Sequence, residues 1–473
     1  MAKALGYTER EAAFNRASAY YWGRQYDHLE PWETKDIQLR DKAPSVQIAL
    51  TKKAVNRINA HLFGEGRAPT WKIEQDDQDV EDALVALVSD CGIRRKYSEI
   101  GRLGCLHGTV AVGFHIFDGG RIDTEIINAG KARPVFGRDR RRDAVELDIG
   151  FDELIELDEY WRTFKDDEES GERKEFWHKR TWTTTQTIEY FEIEGPINEG
   201  DLDIAGKVKF TINEDDTVTH DLKFVPVEWI TPIPVSDDID GAPIVDAPEF
   251  KLEDEVNYTL SQTGRGIRYS QEPTLVISGV DMVGEEPIKK GGDNSILVRK
   301  SADGTQNADA KYLEMAGNGP DVAMNYARMV RNLFNEIVQV VDHDPAQFVG
   351  AASGVALERL LYPMLMLVQN LRPEYEEKIG RLLHKMLRAI KVINSGDDIR
   401  VSAVWPPIVT PTAVDLREYA TAITQLYDIG IVDRRKAVEY LAPFLDIEDV
   451  DAYLDQVDGA AASGGTVDVN QSE

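Results

Sequence analysis

The sequence predicts an α+β fold, because its hydrophobic periodicity changes along the chain. After short helical stretches, residues 109–247 show the two-residue alternation of antiparallel strands. Helical spacing returns after Pro248, and a strand-rich insert from about 272 to 319 interrupts it. Strands gathered in one region and helices in another are typical of α+β proteins.

The composition is that of a globular chain without special crosslinks. Of 473 residues, 42% are hydrophobic and 29% charged, so a substantial core can form in two to four domains of about 100–200 residues. Cys91 and Cys105 are too few for a disulfide framework or a cysteine-based metal site. The start lacks the apolar segment of a secretory signal, and "LLYPMLMLVQNL" is shorter than the ~20 residues of a spanning helix. We expect a soluble protein without membrane contact.

Negative charge is the most unusual bulk property. The chain has 84 acidic and 54 basic residues, a formal net charge of -30. Such a surface repels nucleic acid and anionic membranes at long range, which argues against tight general DNA binding. Two explanations stay open: solubility within a crowded assembly and adaptation to a high-salt cytoplasm.

The first half reads as short helices followed by strands. Helical pieces lie within residues 10–62, and "DVEDALVALVSDCG" adds another with its apolar residues on one face. The alternation of "TVAVGFHIF", the turn "DGGR" and the returning "IDTEIIN" predict a β-hairpin over 109–127. Further strands are predicted in "EFWHKRTWTTTQTIEYFEI", "GKVKFTIN" and "VPVEWITPIP".

Two helices flank the insert. The first is predicted in "EFKLEDEVNYTLSQT", and Gly264 and Gly266 follow its apolar stripe. Each glycine lowers the stability of a helix by roughly 1 kcal/mol relative to Ala, so we expect the helix to end or bend there. The second begins at Pro320 and is apolar on two faces, which predicts burial between neighbours. Its first stripe is Val322, Tyr326, Met329, Leu333, Ile337 and Val340, and its second is Ala323, Ala327, Val330, Phe334, Val338 and Val341.

The last third is mainly helical. A long helix is predicted from Ser353 to about Ile393, with a kink or a break at Pro363 and at Pro373. "IRVSAVW" predicts a strand, short helices follow over 413–457, and the small polar tail predicts disorder.

Ser353, in "DPAQFVGAASGVALERLLYPML", is the first residue to test as a nucleophile. Its surroundings lack the G-x-S-x-G spacing of a nucleophile elbow, and Val355 and Ala356 stand where a phosphate loop needs Lys and Ser or Thr. We interpret Ser353 as the cap of the following helix.

Metal chemistry has little support in the sequence. "SDDIDG" at 236–241 begins like a calcium loop, but Ala247 stands where its bidentate Glu is needed. His178, His343 and His384 show no zinc-type spacing, and the basic "GRDRRRD" and "RRK" are interpreted as solvated surface. We expect no catalytic residue, no cofactor and no metal site, and therefore no enzyme.

The order of elements resembles that of portal proteins of tailed double-stranded DNA viruses, whether bacteriophages or archaeal viruses. "VPVEWITPIPVSDDIDGAPIVDAPEFKLEDEVNYTLSQTGRGIRYSQEPTLVISG" is similar to their passage from wing to stem to clip. "AQFVGAASGVALERLLYPML" resembles their tunnel loop and long helix, where an "SG.AL" pattern recurs. "VSAVWPPIVTPTAVDLREYATAITQLYDIGIVDRRKAVEYL" resembles their closing strand and crown.

The resemblance implies a portal-type fold repeated around a homo-oligomeric ring: an α/β wing, a two-helix stem, a small α/β clip, a long kinked helix and a helical crown. The implied parts are the wing 1–247 with strand 398–412 returning to it, stem helix 248–271, clip 272–319, stem helix 320–342, tunnel loop 343–353, long kinked helix 354–397, crown 413–458 and disordered tail 459–473.

The resemblance also implies a function. A ring, usually of twelve subunits, would form the channel for viral genome packaging and ejection at one capsid vertex, with double-stranded DNA passing through it. Implied partners are the terminase large subunit, then the head-tail adaptor, and the major capsid and scaffolding proteins. The protein would be located in the virion, and in the host cytoplasm during assembly.

An acidic ring suits a DNA channel, because each DNA phosphate neutralised by the protein adds binding affinity and so slows the passage of DNA. The residues implied for these roles fall into two groups. The channel-loop residues are Asp344, Gln347, Phe348, Val349 and Ser353, and the stem-packing residues are Val256, Leu260, Val322, Tyr326, Met329, Leu333 and Ile337. The alternative function is an acidic metal-dependent hydrolase or nuclease.

Overall fold

A computed structural model gives the fold of the chain. It describes residues 7–31, 42–166 except 76, 118 and 148, 173–271 except 198, 203–206, 221 and 237, 274–278, 295–298, 309–313, 319–341, 354–394, 399–408, 413–442, 450, 453–454 and 457. The chain forms two compact units, one of residues 1–340 with 367–406 and one of residues 341–366 with 407–473.

The described helices are numbered in chain order. They are α1 (Tyr7–Trp22), α2 (Leu50–Phe63), α3 (Gln78–Asp90), α4 (Ile93–His107), α5 (Arg141–Leu147), α6 (Glu199–Leu202), α7 (Ala247–Gln271), α8 (Gly319–Ile337), α9 (Gly354–Ala389), α10 (Ala413–Asp428) and α11 (Arg434–Leu441). None of them is long and apolar enough to cross a membrane.

The described strands fall into several small sheets. They are β1 (Glu30–Pro31), β2 (Lys42–Ala43), β3 (Thr70–Ile73), β4 (Val110–Ile116), β5 (Ile122–Ile127), β6 (Ala132–Phe136), β7 (Leu154–Asp166), β8 (Arg173–Thr183), β9 (Gln186–Tyr190), β10 (Ile193–Glu194), β11 (Ile212–Thr219), β12 (Val227–Ile230), β13 (Thr274–Ser278), β14 (Ser295–Val298), β15 (Asp309–Leu313) and β16 (Val401–Val404).

The largest sheet, called here the main sheet, has the order β11-β9-β8-β7-β6 with β10 beside β8, and its pairs are antiparallel. A second antiparallel sheet has the order β12-β4-β5. One buried cluster joins the two sheets: it contains Leu157 and Trp182 from the main sheet, Ala111 and Val227 from the second sheet, and Phe14 from α1. The core of the first half therefore lies between two antiparallel sheets and helix α1.

The first half contains both confirmed and missed elements. The hairpin predicted over 109–127 is confirmed as β4 and β5. The strand predicted in "GKVKFTIN" begins later, at Ile212, and β7 was not predicted. Helix α4 was also missed, because Gly101 and Gly104 lower its helical propensity. These glycines allow close packing: a Cβ on Gly101 would lie 2.2 Å from Oδ1 of Asn59 in α2.

Strand β16 joins the first compact unit far from its sequence neighbours. It pairs antiparallel with β3, with Ala403 opposite Trp71 and Val401 opposite Ile73. Gly380 of α9 lies against this pair, because a Cβ there would be 2.7 Å from the carbonyl oxygen of Val401. A strand from the last quarter of the chain thus completes a sheet that begins near residue 70.

The long helices are less interrupted than the sequence predicts. Helix α7 continues through Gly264 and Gly266 to Gln271, and α9 continues through Pro363 and Pro373, so an end or a break at these residues is wrong, whereas a bend or a kink stays a prediction. A proline inside a helix costs ~3 kcal/mol or more. Burial offsets that cost around Pro373, because Leu371 and Tyr375 are almost fully buried and each such side chain contributes about 1.5–3 kcal/mol.

The strand-rich insert contains β13, with β14 parallel on one side and β15 antiparallel on the other. This confirms the strand signals of "PTLVISGV" and "SILVRK". In the second unit, α10 and α11 contact each other and follow the helical pattern predicted for 413–457.

Candidate assembly surface on helices α7 and α8

Helices α7 and α8 flank the insert and pack against each other. Helix α8 buries one of its two apolar stripes in the chain: Ala327, Val330 and Phe334 are buried, as is Val338 just beyond the helix end. Phe334 is only 1% exposed. This face is part of the core of the first compact unit.

The other stripe of α8 is exposed along the whole helix, and it is called here the α8 stripe. Its residues recur every three or four positions, so they share one face. They are Val322 (64% exposed), Tyr326 (42%), Met329 (52%), Leu333 (43%) and Ile337 (55%). Contiguous exposed apolar surface of this kind is typical of contact sites between proteins.

The seven predicted stem-packing residues are therefore divided by the structure. Val256 of α7 is buried and Leu260 is half-buried, whereas the five residues of α8 lie on the exposed face. One of the two stripes is exposed in the single chain, so the burial of both stripes between neighbours stays a prediction. Val340, predicted as the last member of the first stripe, is buried beyond the helix end.

Helix α7 buries a row of polar side chains, called here the α7 polar row. Glu253, Asn257 and Ser261 are spaced four residues apart and are fully buried. They bind the main chain between β2 and α2: the Val46 amide donates to Ser261 Oγ at 2.9 Å and the Ile48 amide to Asn257 Oδ1 at 2.7 Å. Burial of a polar side chain without such bonds would cost about 1–3 kcal/mol.

Glu253 completes this row at the start of α2. One carboxylate oxygen accepts bonds from the amide and the hydroxyl of Thr51, at 2.8 and 2.7 Å. A carboxylate there satisfies an amide of the first helical turn, which has no partner within the helix. Burial nevertheless dominates its titration and raises the pKa of Glu253 to about 7.

Aromatic hydroxyls fix the neighbouring face of α7. Tyr20 donates to Asp254 at 2.8 Å and Tyr26 donates to the other oxygen of the same carboxylate at 2.5 Å. Burial, followed by the bond to Asp254, raises the pKa of both tyrosines. Tyr20 also stacks on Phe250 with 4.2 Å between ring centres. The first half of α7 is thus bonded on two faces to the N-terminal helices and loops.

The second half of α7 has much looser surroundings. A Cβ placed on Gly264 or Gly266 would have no atom of the described residues within 4 Å, and Ile267 is 40% exposed. The glycines are therefore not required by close packing with the described residues.

The five channel-loop residues predicted from the sequence, Asp344, Gln347, Phe348, Val349 and Ser353, lie outside the described residues. Their positions, and the role of Ser353 as a helix cap, stay predictions.

The segment that resembles a calcium loop has other bonding partners. Arg10 forms an ion pair with both carboxylate oxygens of Asp240, and Asp238 accepts a bond from the Ile239 amide at 2.7 Å. In the part of the chain that the structure describes, no group of three or more His, Cys, Asp or Glu side chains is placed to hold a metal ion.

The described histidines and cysteines with shifted pKa values owe the shift to burial. Burial lowers the pKa of His107 to about 4 and raises that of the Cys105 thiol to about 12. His178 stacks on Trp161 with 5.1 Å between ring centres, and burial lowers its pKa and that of His384. His343 lies outside the described residues.

The α7 polar row was not predicted from the sequence. Its signal is the spacing of Glu253, Asn257 and Ser261, which places three polar side chains on one helical face. The spacing did not predict burial, because polar residues in a helix usually face water.

Comparison with known proteins gives one family match. The model of a family described as "Phage portal protein, SPP1 Gp6-like" matches residues 6–461. No curated protein matches the chain.

Two solved structures are similar to the chain at low identity. The neck of an empty GTA particle, computed with C6 symmetry, has a TM-score of 0.41 and 12% identity, and the match covers 84% of this chain and 90% of that one. The neck of a native GTA particle, computed with C12 symmetry, has a TM-score of 0.40 and 11% identity, covering 83% and 89%.

Proposed function

Because this chain belongs to the SPP1 Gp6-like family of phage portal proteins, we propose that its copies form a closed ring at one capsid vertex, around a channel for genome packaging and ejection. The family is structural rather than enzymatic, and the alternative of a metal-dependent hydrolase or nuclease is not favoured. The ring would have twelve subunits, the usual number for portal proteins.

The α8 stripe is the observation that carries this proposal. Five apolar side chains are exposed on a helix whose other apolar face is already buried in its own chain. In a cyclic ring each copy uses two different surfaces toward its two neighbours. The α8 stripe supplies one apolar surface of that kind, and burial against the next copy removes it from water at a gain of roughly 25 cal/mol per Å².

The parts of the subunit would divide this work. Residues 1–247 with 398–412 form the wing, α7 and α8 the stem, 272–319 the clip, 343–353 the tunnel loop and 413–458 the crown. The clip would bind the terminase large subunit and later the head-tail adaptor. Capsid and scaffolding proteins would surround the ring in the host cytoplasm during assembly, and the finished ring would stay in the virion.

The tunnel loop would contact DNA sterically through Gln347, Phe348 and Val349. Residues 344–353 contain no Lys or Arg. This supports the proposal, because fixed cations at phosphates would add salt-dependent affinity and slow the passage of DNA.

The mass of the purified full chain tests the ring. Light scattering should give about twelve times the subunit mass of 53.1 kDa. A Met329→Glu, Leu333→Glu double variant should stay monomeric, because two charges cannot be buried unpaired in an apolar contact. The control is Val85→Glu, a similarly exposed position on α3, which should still assemble.

Two results would contradict the proposal. A wild-type monomer with metal-dependent hydrolytic activity would favour the enzyme, and normal rings from the double variant would remove the α8 stripe from the interface. For the tunnel loop, deletion of 345–351 should impair packaging or DNA retention in the phage, and unchanged packaging and retention would contradict its role.

A further inference from the structure

The last residue of α1 is an exposed tryptophan. Trp22 is 56% exposed, whereas Tyr21 before it is buried. The Tyr21 hydroxyl donates to Oδ1 of Asn56 in α2 at 2.7 Å, and its ring meets the Trp22 ring edge-on with 4.9 Å between ring centres. Trp22 is therefore held in position although much of its ring faces water.

Two cations from neighbouring helices lie over the Trp22 ring. Lys52 Nζ of α2 is 5.5 Å from the ring centre, and the guanidinium carbon of Arg102 in α4 is 5.9 Å from it. Arg102 also pairs with Glu99 at 3.3 Å, whereas Lys52 has no carboxylate partner among the described residues. Trp22, Lys52 and Arg102 are called here the Trp22 platform. Tryptophan and arginine are among the residue types that contribute most to binding at protein interfaces.

The two helices that supply these cations are basic. Helix α2 contains three basic residues and no acidic one, and α4 contains four basic residues and one acidic one, Glu99. One of the cations of α4, Lys96, is paired with Asp123 at 3.7 Å. This surface is locally positive on a chain with a net charge of -30. It favours a partner that brings apolar side chains together with a carboxylate.

Helix α7 has different neighbours on two of its sides. The α7 polar row is centred on Asn257, and Asp254, which binds Tyr20 of α1, lies roughly 60° around the helix from Asn257. This side of α7 is covered by the N-terminal elements. Val256 and Thr263 are also buried, but they lie roughly 100–120° from Asn257 in the other direction. Helix α8 packs against α7 and covers this second side, because the first side is already occupied.

The Trp22 platform and the α8 stripe are therefore separate surfaces of one compact unit. The platform belongs to the N-terminal side of α7, and the stripe lies on the helix that covers the second side. Both are exposed, so neither covers the other within the subunit. A closed ring needs a pair of this kind, because each copy contacts its two neighbours through two different surfaces.

One charged residue of α8 lies beside the α8 stripe. Glu336 is roughly 60° around the helix from Leu333, is exposed and has no ion pair with a described residue. The other charged residues of α8 lie more than about 100° from Leu333 and are Asp321, Arg328 and Arg331. The stripe thus presents apolar side chains and one carboxylate, which complement the ring and the cations of the Trp22 platform.

We propose that, in the ring, the α8 stripe of one copy packs on the Trp22 platform of the next copy. Met329 and Leu333, at the middle of the stripe, cover the aromatic ring of the platform, and a thioether packs well on such a ring. Glu336 then pairs with Lys52. The contact is heterologous, so it continues from copy to copy. The inference rests on the proposed ring and names the surface that the α8 stripe meets.

Truncation of the tryptophan tests the contact. Trp22→Ala should lower the fraction of rings in light scattering at least about tenfold, because the stripe loses the ring on which it packs. Phe117→Ala is the matched control and should assemble normally, since Phe117 is 45% exposed and Arg121 lies over its ring at 4.7 Å from the centre. Both variants change exposed residues, so their unfolding midpoints as monomers should equal that of the wild type.

A mixture of two variants tests which surfaces meet. The Met329→Glu, Leu333→Glu variant keeps an intact platform, and a Trp22→Ala, Lys52→Glu variant keeps an intact stripe. In the mixture, the stripe of the second variant can bind only the platform of the first, so pairs with about twice the subunit mass of 53.1 kDa should form. Neither variant alone should form them. A mixture that stays monomeric, or one that forms closed rings, would overturn the contact.

The ion pair has a measurement of its own. Glu336→Lys should lower the ring fraction severalfold at low salt, and the addition of Lys52→Glu to the same chain should restore it, because opposite charges then meet again. The loss should shrink in 1 M salt, where charges are screened within ~3 Å. Normal rings from Glu336→Lys, or no recovery in the double variant, would overturn the pairing of the stripe with the platform.

The outcomes separate this contact from the ring itself. Absence of rings from the wild type would contradict the proposed function. Wild-type rings together with normal rings from Trp22→Ala would overturn this inference alone. If that variant also bound a labelled single-stranded oligonucleotide less tightly than the wild type, the platform would be a nucleic-acid site instead.

Discussion

Helices α7 and α8 differ in how they contact the rest of the chain. Helix α7 turns the α7 polar row inward and binds the main chain of residues 46–51 by hydrogen bonds. Helix α8 buries Phe334 and exposes the α8 stripe. Hydrogen bonds need partners at defined positions, whereas apolar contact is non-directional. We infer that α7 fixes the pair of helices to its own subunit and that, in the proposed ring, α8 contacts a neighbouring copy.

The largest expected effect separates the two faces of α8. Phe334→Ala should lower the free energy of unfolding by about 3–5 kcal/mol, because it leaves a cavity in the core. Leu333→Ala, one residue earlier and 43% exposed, should change it by less than about 0.5 kcal/mol in the monomer. Denaturant unfolding at low protein concentration measures both. Equal losses would show that α8 has no distinct outer face.

The next effect concerns the α7 polar row. Glu253→Ala should cost about 1–3 kcal/mol, because the amide and hydroxyl of Thr51 lose their acceptor in a buried site. Lys251→Ala, on the exposed side of the same helix, is the matched control and should be nearly neutral. If the two variants unfold at the same denaturant concentration, the row does not anchor α7.

The pH dependence of stability sharpens the assignment to Glu253. Burial raises its pKa from 4.5 to about 7 in the folded protein, so the folded state retains a proton that the unfolded state has lost. Between about pH 4.5 and 7 the wild type should therefore lose stability relative to Glu253→Gln as pH rises, by at most ~1.4 kcal/mol per pH unit. Unfolding curves across this range measure the difference, and parallel curves would contradict it.

The smallest effect tests the loose second half of α7. Gly264→Ala should raise the free energy of unfolding by roughly 1 kcal/mol, because its Cβ has open space and Ala favours the helix. Gly104→Ala is the control within α4. It should destabilise the protein, since its Cβ would lie 2.1 Å from the Tyr375 hydroxyl. A loss of stability at Gly264 would show that the second half of α7 is packed after all.

The sequence predicted α7 and α8 well because their apolar residues repeat at helical spacing over several turns. Helix α4 was not predicted. Its glycines allow close contacts with α2 and α9, and those contacts exist only in the folded chain. A kink or a break was also expected at Pro363 and Pro373, but α9 does not break there, because buried side chains such as Leu371 and Tyr375 stabilise the helix.

The α7 polar row was harder to predict for a different reason. Glu253 is one of 84 acidic residues, and nothing local distinguishes a buried carboxylate from a solvated one. The sequence also does not show which face of α8 is exposed. Both stripes are apolar, and the packing of the subunit determines which of them is buried.

The pairing of β3 with β16 also has a consequence for synthesis on the ribosome. More than 300 residues separate Trp71 from its partner Ala403. The small sheet that they form cannot close until nearly the whole chain has left the ribosome, whereas the α8 stripe emerges earlier. A nascent chain therefore exposes an apolar helix before this sheet is complete, and exposed apolar surface of this kind favours premature association.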